Sequence, residues 1–185
     1  MSKNWIWITG ADGHVGSALK KLLPGNGYHL LCTNQTDVDV THAADVQLYA
    51  DMNRPVAIIN CAALSNPALC EQNPEQAYNV NALGARNLAV AANRVGACLI
   101  QMSTDDVFGN QGTTPYNEFD PMPVPNSIYG KSKLAGERYV SYLCARHIII
   151  RSSWVYGTGS DFVDTFLRAG DELKVANNEI AVPTS

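Results

Sequence analysis

A loop with three glycines near the N-terminus is the feature that most restricts how this chain can fold. Residues 10–16 read Gly-Ala-Asp-Gly-His-Val-Gly and directly follow a short apolar segment over residues 5–8. Apolar residues over 15–23 then recur at a helical period until a proline and a glycine end the pattern. A second apolar segment at 28–32 completes a predicted βαβ unit.

The alternation of strands and helices continues along most of the chain. We predict helices over 43–52, 74–95, 127–146 and 162–169, and strands over 56–60, 98–103, 148–150 and 173–176. Strands that alternate with helices form parallel sheets covered on both faces. The predicted fold is therefore α/β, a Rossmann-type doubly wound parallel sheet with helices on both faces.

Composition and charge argue against several classes of function. The 185 residues carry a net charge of −4, and their basic residues form no runs, so we expect neither nucleic acid nor a membrane as partner. The N-terminal apolar segment is too short for a signal peptide, which predicts a cytoplasmic protein. Five cysteines and four histidines lack the spacing of zinc ligands, so no metal site is expected.

The glycine loop predicts a bound dinucleotide. Glycines at a strand-to-helix turn let backbone N–H groups and the helix N-terminus approach a pyrophosphate. The candidate cofactor-binding residues of the loop are Gly10, Asp12, Gly13, His14, Val15 and Gly16. After the second predicted strand, Thr33, Asn34 and Gln35 include no carboxylate for the ribose of NAD and no arginine for the phosphate of NADP. The missing carboxylate favours NADP(H), and NAD(H) stays open.

A tyrosine and a lysine four residues apart lie at the start of the predicted helix 127–146. Tyr129 and Lys133 should project from one face of this helix and meet. An ammonium beside a phenol stabilises the phenolate, which suits a tyrosine that transfers protons near neutral pH. Thr104 follows a strand end, where ligands bind in such sheets. We therefore predict Thr104, Tyr129 and Lys133 as catalytic residues.

These motifs together resemble the extended short-chain dehydrogenases/reductases, and within them the dTDP-4-dehydrorhamnose reductases. The resemblance covers nearly the whole chain, through residues 8–16, 39–40, 59–63, 79–82, 103–105, 129–137 and 151–157. It implies hydride transfer from NADPH or NADH to the C4 ketone of a nucleotide-activated 4-keto-6-deoxy sugar, with dTDP-L-rhamnose as product. Tyr129 would donate the proton, Thr104 would bind the keto oxygen, and Lys133 would hold the nicotinamide ribose.

The resemblance also implies contacts outside these catalytic residues. Cofactor contacts are expected for Asn34, Asp39, Val40, Cys61, Ala62, Ala63, Asn81, Tyr129 and Lys133, and substrate contacts for Ser65, Ser103, Asp106 and Trp154. Two roles stay open for Asn81, a structural cap on a neighbouring strand or a catalytic water relay. Trp154 either stacks on a sugar or lies in the core. The expected partner is a nucleotide sugar, and formation of a homodimer stays open.

Three differences from the family pattern keep other functions open. Asp106 stands where the reductases usually have tyrosine and where sugar-nucleotide 4,6-dehydratases have an acid, and Ala68 replaces a usual acidic residue. The family's chains are also longer. Residues 1–150 would form the NAD(P)-binding Rossmann core, and residues 151–185 the last strand and the start of a substrate-binding lobe that is mostly absent from this chain.

The alternatives are therefore of two kinds. One is a sugar-nucleotide 4,6-dehydratase or epimerase of the same superfamily. The other is a non-catalytic NADP-binding regulatory subunit, like that of methionine adenosyltransferase, although Thr104, Tyr129 and Lys133 argue against it. Because part of the expected sugar pocket would be missing, it also stays open whether this chain alone turns over a substrate.

Overall fold

A five-stranded parallel sheet forms the centre of the molecule. The structure is a computed structural model that describes residues 4–24, 27–109, 116–117 and 124–157, so the predicted helix 162–169 and strand 173–176 lie outside the described residues. The strands are β1 (Trp5–Thr9), β2 (His29–Thr33), β3 (Ala57–Asn60), β4 (Cys98–Thr104) and β5 (His147–Ser152). They are arranged in the order β2-β1-β3-β4-β5, and every neighbouring pair is parallel.

Helices cover the two faces of this sheet, as the sequence predicts. They are α1 (His14–Leu22), α2 (Ala43–Asn53), α3 (Pro67–Gln72), α4 (Pro74–Tyr78), α5 (Ala85–Val95) and α6 (Ile128–Leu143). None of the helices in the described ranges is long and apolar enough to cross a membrane. The predicted α/β, Rossmann-type doubly wound sheet is confirmed.

Alternate residues of the strands β1 to β4 belong to two separate cores. Trp7 in β1 and Leu99 in β4 are fully buried in the larger core, which includes residues of α2, α5 and α6 such as Leu88. Ile8 of β1 belongs to the smaller core, against which Leu19 of α1 packs. Because successive side chains of a strand point to opposite faces, a strand buried on both sides reads as a continuous apolar run.

The predicted long helix over residues 74–95 is wrong in its middle. The structure divides this segment into α4, a π-helical turn at Asn79–Gly84, and α5. Tertiary contacts fix the turn, since the Asn81 side chain bonds to Leu64 and Ser132. A Cβ atom added at Gly136 of α6 would overlap the carbonyl oxygen of Asn81, so the turn also packs closely on α6. A helical period in the sequence cannot reveal such a bulge.

Two short elements were not predicted. Asn66 caps the N-terminus of helix α3, because its side chain accepts a hydrogen bond from the Leu69 N–H at 3.0 Å. Pro67 occupies the first turn of this helix. An Asn-Pro sequence is a usual helix start, so this helix had a readable signal. A 3₁₀ turn at Asp105–Phe108 follows β4, and Thr104 caps it through the Asp106 N–H at 3.2 Å.

The three glycines of the loop have different structural roles. Gly10 has a φ of +61°, and a Cβ atom added there would lie 2.7 Å from the Cα of Ala62. A Cβ atom at Gly16 would overlap the carbonyl oxygen of Gly10. At Gly13, which has a φ of −73°, the nearest atom would be 3.4 Å away. Close backbone packing therefore requires glycine at positions 10 and 16, whereas an alanine at position 13 fits the fold.

This difference gives a test of the loop packing. We expect Gly16→Ala to lower the free energy of unfolding by about 1–3 kcal/mol, because the added methyl group forces the loop away from α1. Gly13→Ala is the matched control and should change the free energy of unfolding by less than about 0.5 kcal/mol. Urea denaturation of both variants measures the difference, and equal stabilities would contradict this account of the loop.

Candidate functional site

The carboxyl ends of the strands open into two neighbouring clefts. The first cleft has a volume of about 320 Å³ and lies beside the end of β2, and the second has about 530 Å³ and lies beside the ends of β4 and β5. Gly13, Cys61 and Ala63 line both clefts. The strand order reverses between β1 and β3, and open α/β sheets bind ligands outside the carboxyl ends of the strands at such a point. The two clefts therefore form one candidate site.

The first cleft contains most of the predicted cofactor residues. It is lined by the predicted residues Gly10, Asp12, Gly13, Asn34, Asp39, Val40, Cys61, Ala62 and Ala63, and also by Gln35, Val38, Leu64, Gln76 and Val80. The other predicted loop residues, His14, Val15 and Gly16, line the second cleft. Gln76 and Val80 were missed because they come from α4 and the π-helical turn, which the sequence pattern did not resolve.

Asp39 uses its carboxylate within its own loop. One carboxylate oxygen accepts hydrogen bonds from the N–H and the hydroxyl of Thr41 at 2.9 and 2.8 Å, and the other accepts one from Gln35 at 3.2 Å. Burial raises the pKa of Asp39, but the bonds from Thr41 and Gln35 outweigh it and leave the pKa below its ordinary value. Asp39 is thus a carboxylate whose hydrogen bonds fix the loop that lines the first cleft.

The three predicted catalytic residues lie together in the second cleft. Tyr129 and Lys133 project from the first turns of α6. Ser127 caps the N-terminus of this helix, and its hydroxyl oxygen accepts a hydrogen bond from the Gly130 N–H at 2.9 Å. The phenol of Tyr129 lies close enough to the side chain of Thr104 for Thr104 to lower its pKa. The structure therefore brings Thr104, Tyr129 and Lys133 into one cleft, next to the glycine loop.

Burial determines the ionisation of Tyr129. Burial, together with smaller contributions from Asp106 and Asp105, raises the pKa of the phenol to about 12, and the side chain of Thr104 opposes this rise. The sequence predicts that the Lys133 ammonium stabilises the phenolate, but Lys133 is not among the groups that shift this pKa. Without a ligand the phenol is protonated at neutral pH, and stabilisation of the phenolate by Lys133 stays a prediction.

Lys133 is a buried ammonium with a backbone partner. Its side chain is 5% exposed, and its Nζ atom donates a hydrogen bond to the carbonyl oxygen of Met102 at 2.6 Å. Burial lowers the pKa of Lys133 to about 8, and the carboxylate of Glu137 opposes this shift. Glu137 is itself held by two hydrogen bonds from Arg151, at 3.0 and 2.7 Å. Lys133 is therefore charged at neutral pH and close to its titration range.

Asn81, for which a cofactor contact is expected, lines neither of the two clefts. Its side-chain oxygen accepts a hydrogen bond from the Leu64 N–H at 2.9 Å, and its amide group donates to the Leu64 carbonyl and the Ser132 hydroxyl, both at 3.0 Å. The side chain is 2% exposed. The sequence left two roles open for Asn81, and these bonds fit the structural one, because they fix the loop after β3 against the helix that carries Tyr129.

The predicted substrate residues line the second cleft. Ser65, Ser103, Asp106 and Trp154 all lie there, together with Pro67, Met102, Asp105, Ser152, Ser153 and Val155, which the sequence analysis did not select. Trp154 is 41% exposed, which excludes the buried-core alternative for this residue. The hydroxyl of Ser103 is buried and has no hydrogen-bond partner among the described residues. A ligand in this cleft would find an unused hydroxyl there.

Comparison with known proteins agrees with this geometry. The sequence model of the family described as RmlD substrate binding domain matches residues 4–185. The chain belongs to this family. A spore coat polysaccharide biosynthesis protein of Bacillus subtilis, SpsK, is 36% identical over 97% of the chain and 64% of its own length. The dTDP-4-dehydrorhamnose reductase of Salmonella typhimurium is 42% identical over 97% of the chain and 62% of its own length.

A solved structure shows the same similarity in three dimensions. The dTDP-4-dehydrorhamnose reductase of Bacillus anthracis in complex with NADP superposes on this RmlD-family chain with a TM-score of 0.87 and 40% identity. The match covers 94% of this chain and 62% of that chain. The chain thus spans a little over three fifths of the length of the relatives it matches. Within the described ranges, no group of three or more His, Cys, Asp or Glu residues could hold a metal ion.

The buried Lys133 gives a pH-dependent test in this RmlD-family chain. Its pKa is about 8 when folded and about 10.5 when exposed, so between these values the unfolded chain binds more protons and stability rises with pH. Below pH 8 the buried charge destabilises the fold. We expect Lys133→Met to be more stable than the original chain at pH 7. The difference between their free energies of unfolding should become smaller as the pH rises from 8 to 10.5.

Denaturation of the two proteins at several pH values measures this gap. Other titrating groups are common to both proteins, so the difference isolates Lys133. A stability difference that does not change between pH 7 and 10 would show that Lys133 is not a desolvated ammonium.

Proposed function

We propose that the protein is an NADPH-dependent reductase of a nucleotide-activated 4-keto-6-deoxy sugar, as a dTDP-4-dehydrorhamnose reductase. The observation that carries the proposal is the placement of Thr104, Tyr129 and Lys133 together in a cleft that continues into the glycine loop. The relatives support it, since the Salmonella protein has this activity in its name and the Bacillus anthracis structure contains NADP. The cytoplasmic location and the nucleotide-sugar partner are part of the same proposal.

The two clefts fit a dinucleotide that extends across the glycine loop. Gly13 lines both clefts, and its missing side chain leaves space at their junction, directly before the N-terminus of α1. A pyrophosphate would bind there, with the adenosine half in the first cleft beside Asn34. The nicotinamide ribose would then lie near Lys133 and the unpaired hydroxyl of Ser103. When bound, the cofactor supplies the hydride.

The residues of the second cleft supply the proton. Thr104 and Tyr129 would hold the keto oxygen of the sugar, and as the carbonyl carbon gains a hydride, this oxygen takes the phenolic proton of Tyr129. The product is the alcohol, and the phenolate regains its proton from solvent. The ammonium of Lys133, which lines the same cleft and is charged below a pKa of about 8, would stabilise the phenolate during this cycle.

The ionisation of Tyr129 also favours reduction over the alternative reactions. Dehydratases and epimerases of nucleotide sugars begin by oxidising an alcohol, so their tyrosine must first accept a proton. A phenol with a pKa of about 12 is protonated at neutral pH and is better suited to donate one. Asp106, which could indicate a dehydratase, lies in the cleft and contributes to the raised pKa of Tyr129.

A single substitution tests the proton donor. We expect Tyr129→Phe in the full-length protein to lower kcat for oxidation of NADPH with dTDP-4-dehydrorhamnose by about 10²- to 10⁴-fold, because the proton source is lost. The dissociation constant for NADPH should change little. Tyr139→Phe is the matched control, because Tyr139 lies on the same helix but is not among the residues that line the clefts.

Three outcomes would contradict the proposal. Full activity in Tyr129→Phe would exclude Tyr129 as the donor. Tight binding of NADPH without its consumption, with any nucleotide-sugar ketone, would indicate a regulatory protein. Release of water from dTDP-glucose without net oxidation of the cofactor would indicate a dehydratase.

A further inference from the structure

A charged cluster lies at the rim of the first cleft, next to residues 33–35, which include no charged side chain. Asp12 and Asn34 line the cleft. One carboxylate oxygen of Asp12 is 3.1 Å from the ammonium of Lys20, and the other accepts a hydrogen bond from the amide of Asn34 at 3.0 Å. The side chains of Lys20 and Asp12 are 40% and 63% exposed, so a ligand can reach both.

Asn34 holds this cluster in a fixed orientation. Its side-chain oxygen accepts hydrogen bonds from the N–H and hydroxyl of Thr36 at 2.9 and 2.7 Å and from the Asp37 N–H at 3.2 Å. Its backbone N–H donates to the carboxylate of Asp37 at 2.9 Å. With the oxygen engaged in its own turn, the amide NH₂ group points at Asp12. Asn34 is therefore a positioning residue for the Asp12 carboxylate.

We infer that Asp12 and Lys20 together select between NADP(H) and NAD(H) in the first cleft. Asp12 takes the place of the acidic residue that dinucleotide folds usually carry at the end of β2, and its carboxylate binds the 2′-hydroxyl of the adenosine ribose. Lys20 binds the 2′-phosphate when it is present. The inference rests on the proposed function, because it assigns the cofactor preference of the same site.

The pairing of the two charges would allow one site to accept either cofactor. An unpaired carboxylate would repel the 2′-phosphate, but Asp12 is neutralised by Lys20. The flexible ammonium can turn from the carboxylate to the phosphate, and Asn34 still bonds to Asp12. The other carboxylate that lines this cleft, Asp39, is bonded to Thr41 and Gln35. Within the part of the chain that the structure describes, Asp12 and Lys20 thus form a charged pair beside this cleft.

Two substitutions with opposite effects test the inference. Lys20→Gln should weaken the binding of NADPH by roughly tenfold, which corresponds to about 1.4 kcal/mol. The dissociation constant for NADH should change by less than about twofold. Asp12→Asn should weaken the binding of NADH, because the carboxylate that binds the 2′-hydroxyl is lost. It should strengthen the binding of NADPH, because the carboxylate no longer repels the 2′-phosphate and no longer pairs with Lys20. Lys21→Gln is the matched control, since it removes the same charge one residue away on α1.

The measurement is fluorescence titration of each protein with NADPH and with NADH. Opposite shifts of the NADPH/NADH affinity ratio in the two variants, with no shift in Lys21→Gln, would support the inference. If the original chain binds both cofactors and the ratio is unchanged in both variants, the inference is wrong and the proposed function stands. If the original chain binds neither cofactor, both are wrong.

Discussion

The close packing of the glycine loop against the segment after β3 is the contact on which the site depends. Gly10 has a left-handed backbone conformation and lies against Ala62, and Gly16 lies against the carbonyl of Gly10. This packing brings the N-terminus of α1 to the point where the strand order reverses. It also leaves Gly13 between the two clefts. A larger side chain at position 10 or 16 would separate α1 from the sheet and open the junction.

The catalytic half of the site depends on a second set of contacts. Asn81 fixes the loop after β3 to Ser132 of α6, and α6 presents Tyr129 and Lys133 to the cleft. Behind Lys133, Glu137 is bonded by Arg151 of β5. The buried ammonium is thus supported by a carboxylate whose own charge is compensated. The negative charge of Glu137 raises the pKa of Lys133 against the effect of burial, and Lys133 stays charged near neutral pH.

Local patterns in the sequence predicted most of the fold and the central residues of the site. The glycine loop, the strand end at Thr104 and the four-residue spacing of Tyr129 and Lys133 are readable because each depends on neighbours in the chain. The π-helical turn was missed, since it depends on contacts of Asn81 with residues 17 and 51 positions away. The raised pKa of Tyr129 was missed for the same reason, because burial is a property of the tertiary structure. The pairing of Asp12 with Lys20 and Asn34 was also missed, because it joins the glycine loop to α1 and to the segment that follows β2.

The central claim is that the two clefts bind one dinucleotide across the glycine loop and present it to Tyr129. A crystal structure of the protein with NADPH tests this most directly. We predict the adenosine half beside Asn34, the pyrophosphate against Gly13, and the nicotinamide in the cleft of Thr104, Tyr129 and Lys133. A nucleotide bound at another surface, or one whose nicotinamide lies outside the cleft of Tyr129, would contradict the account.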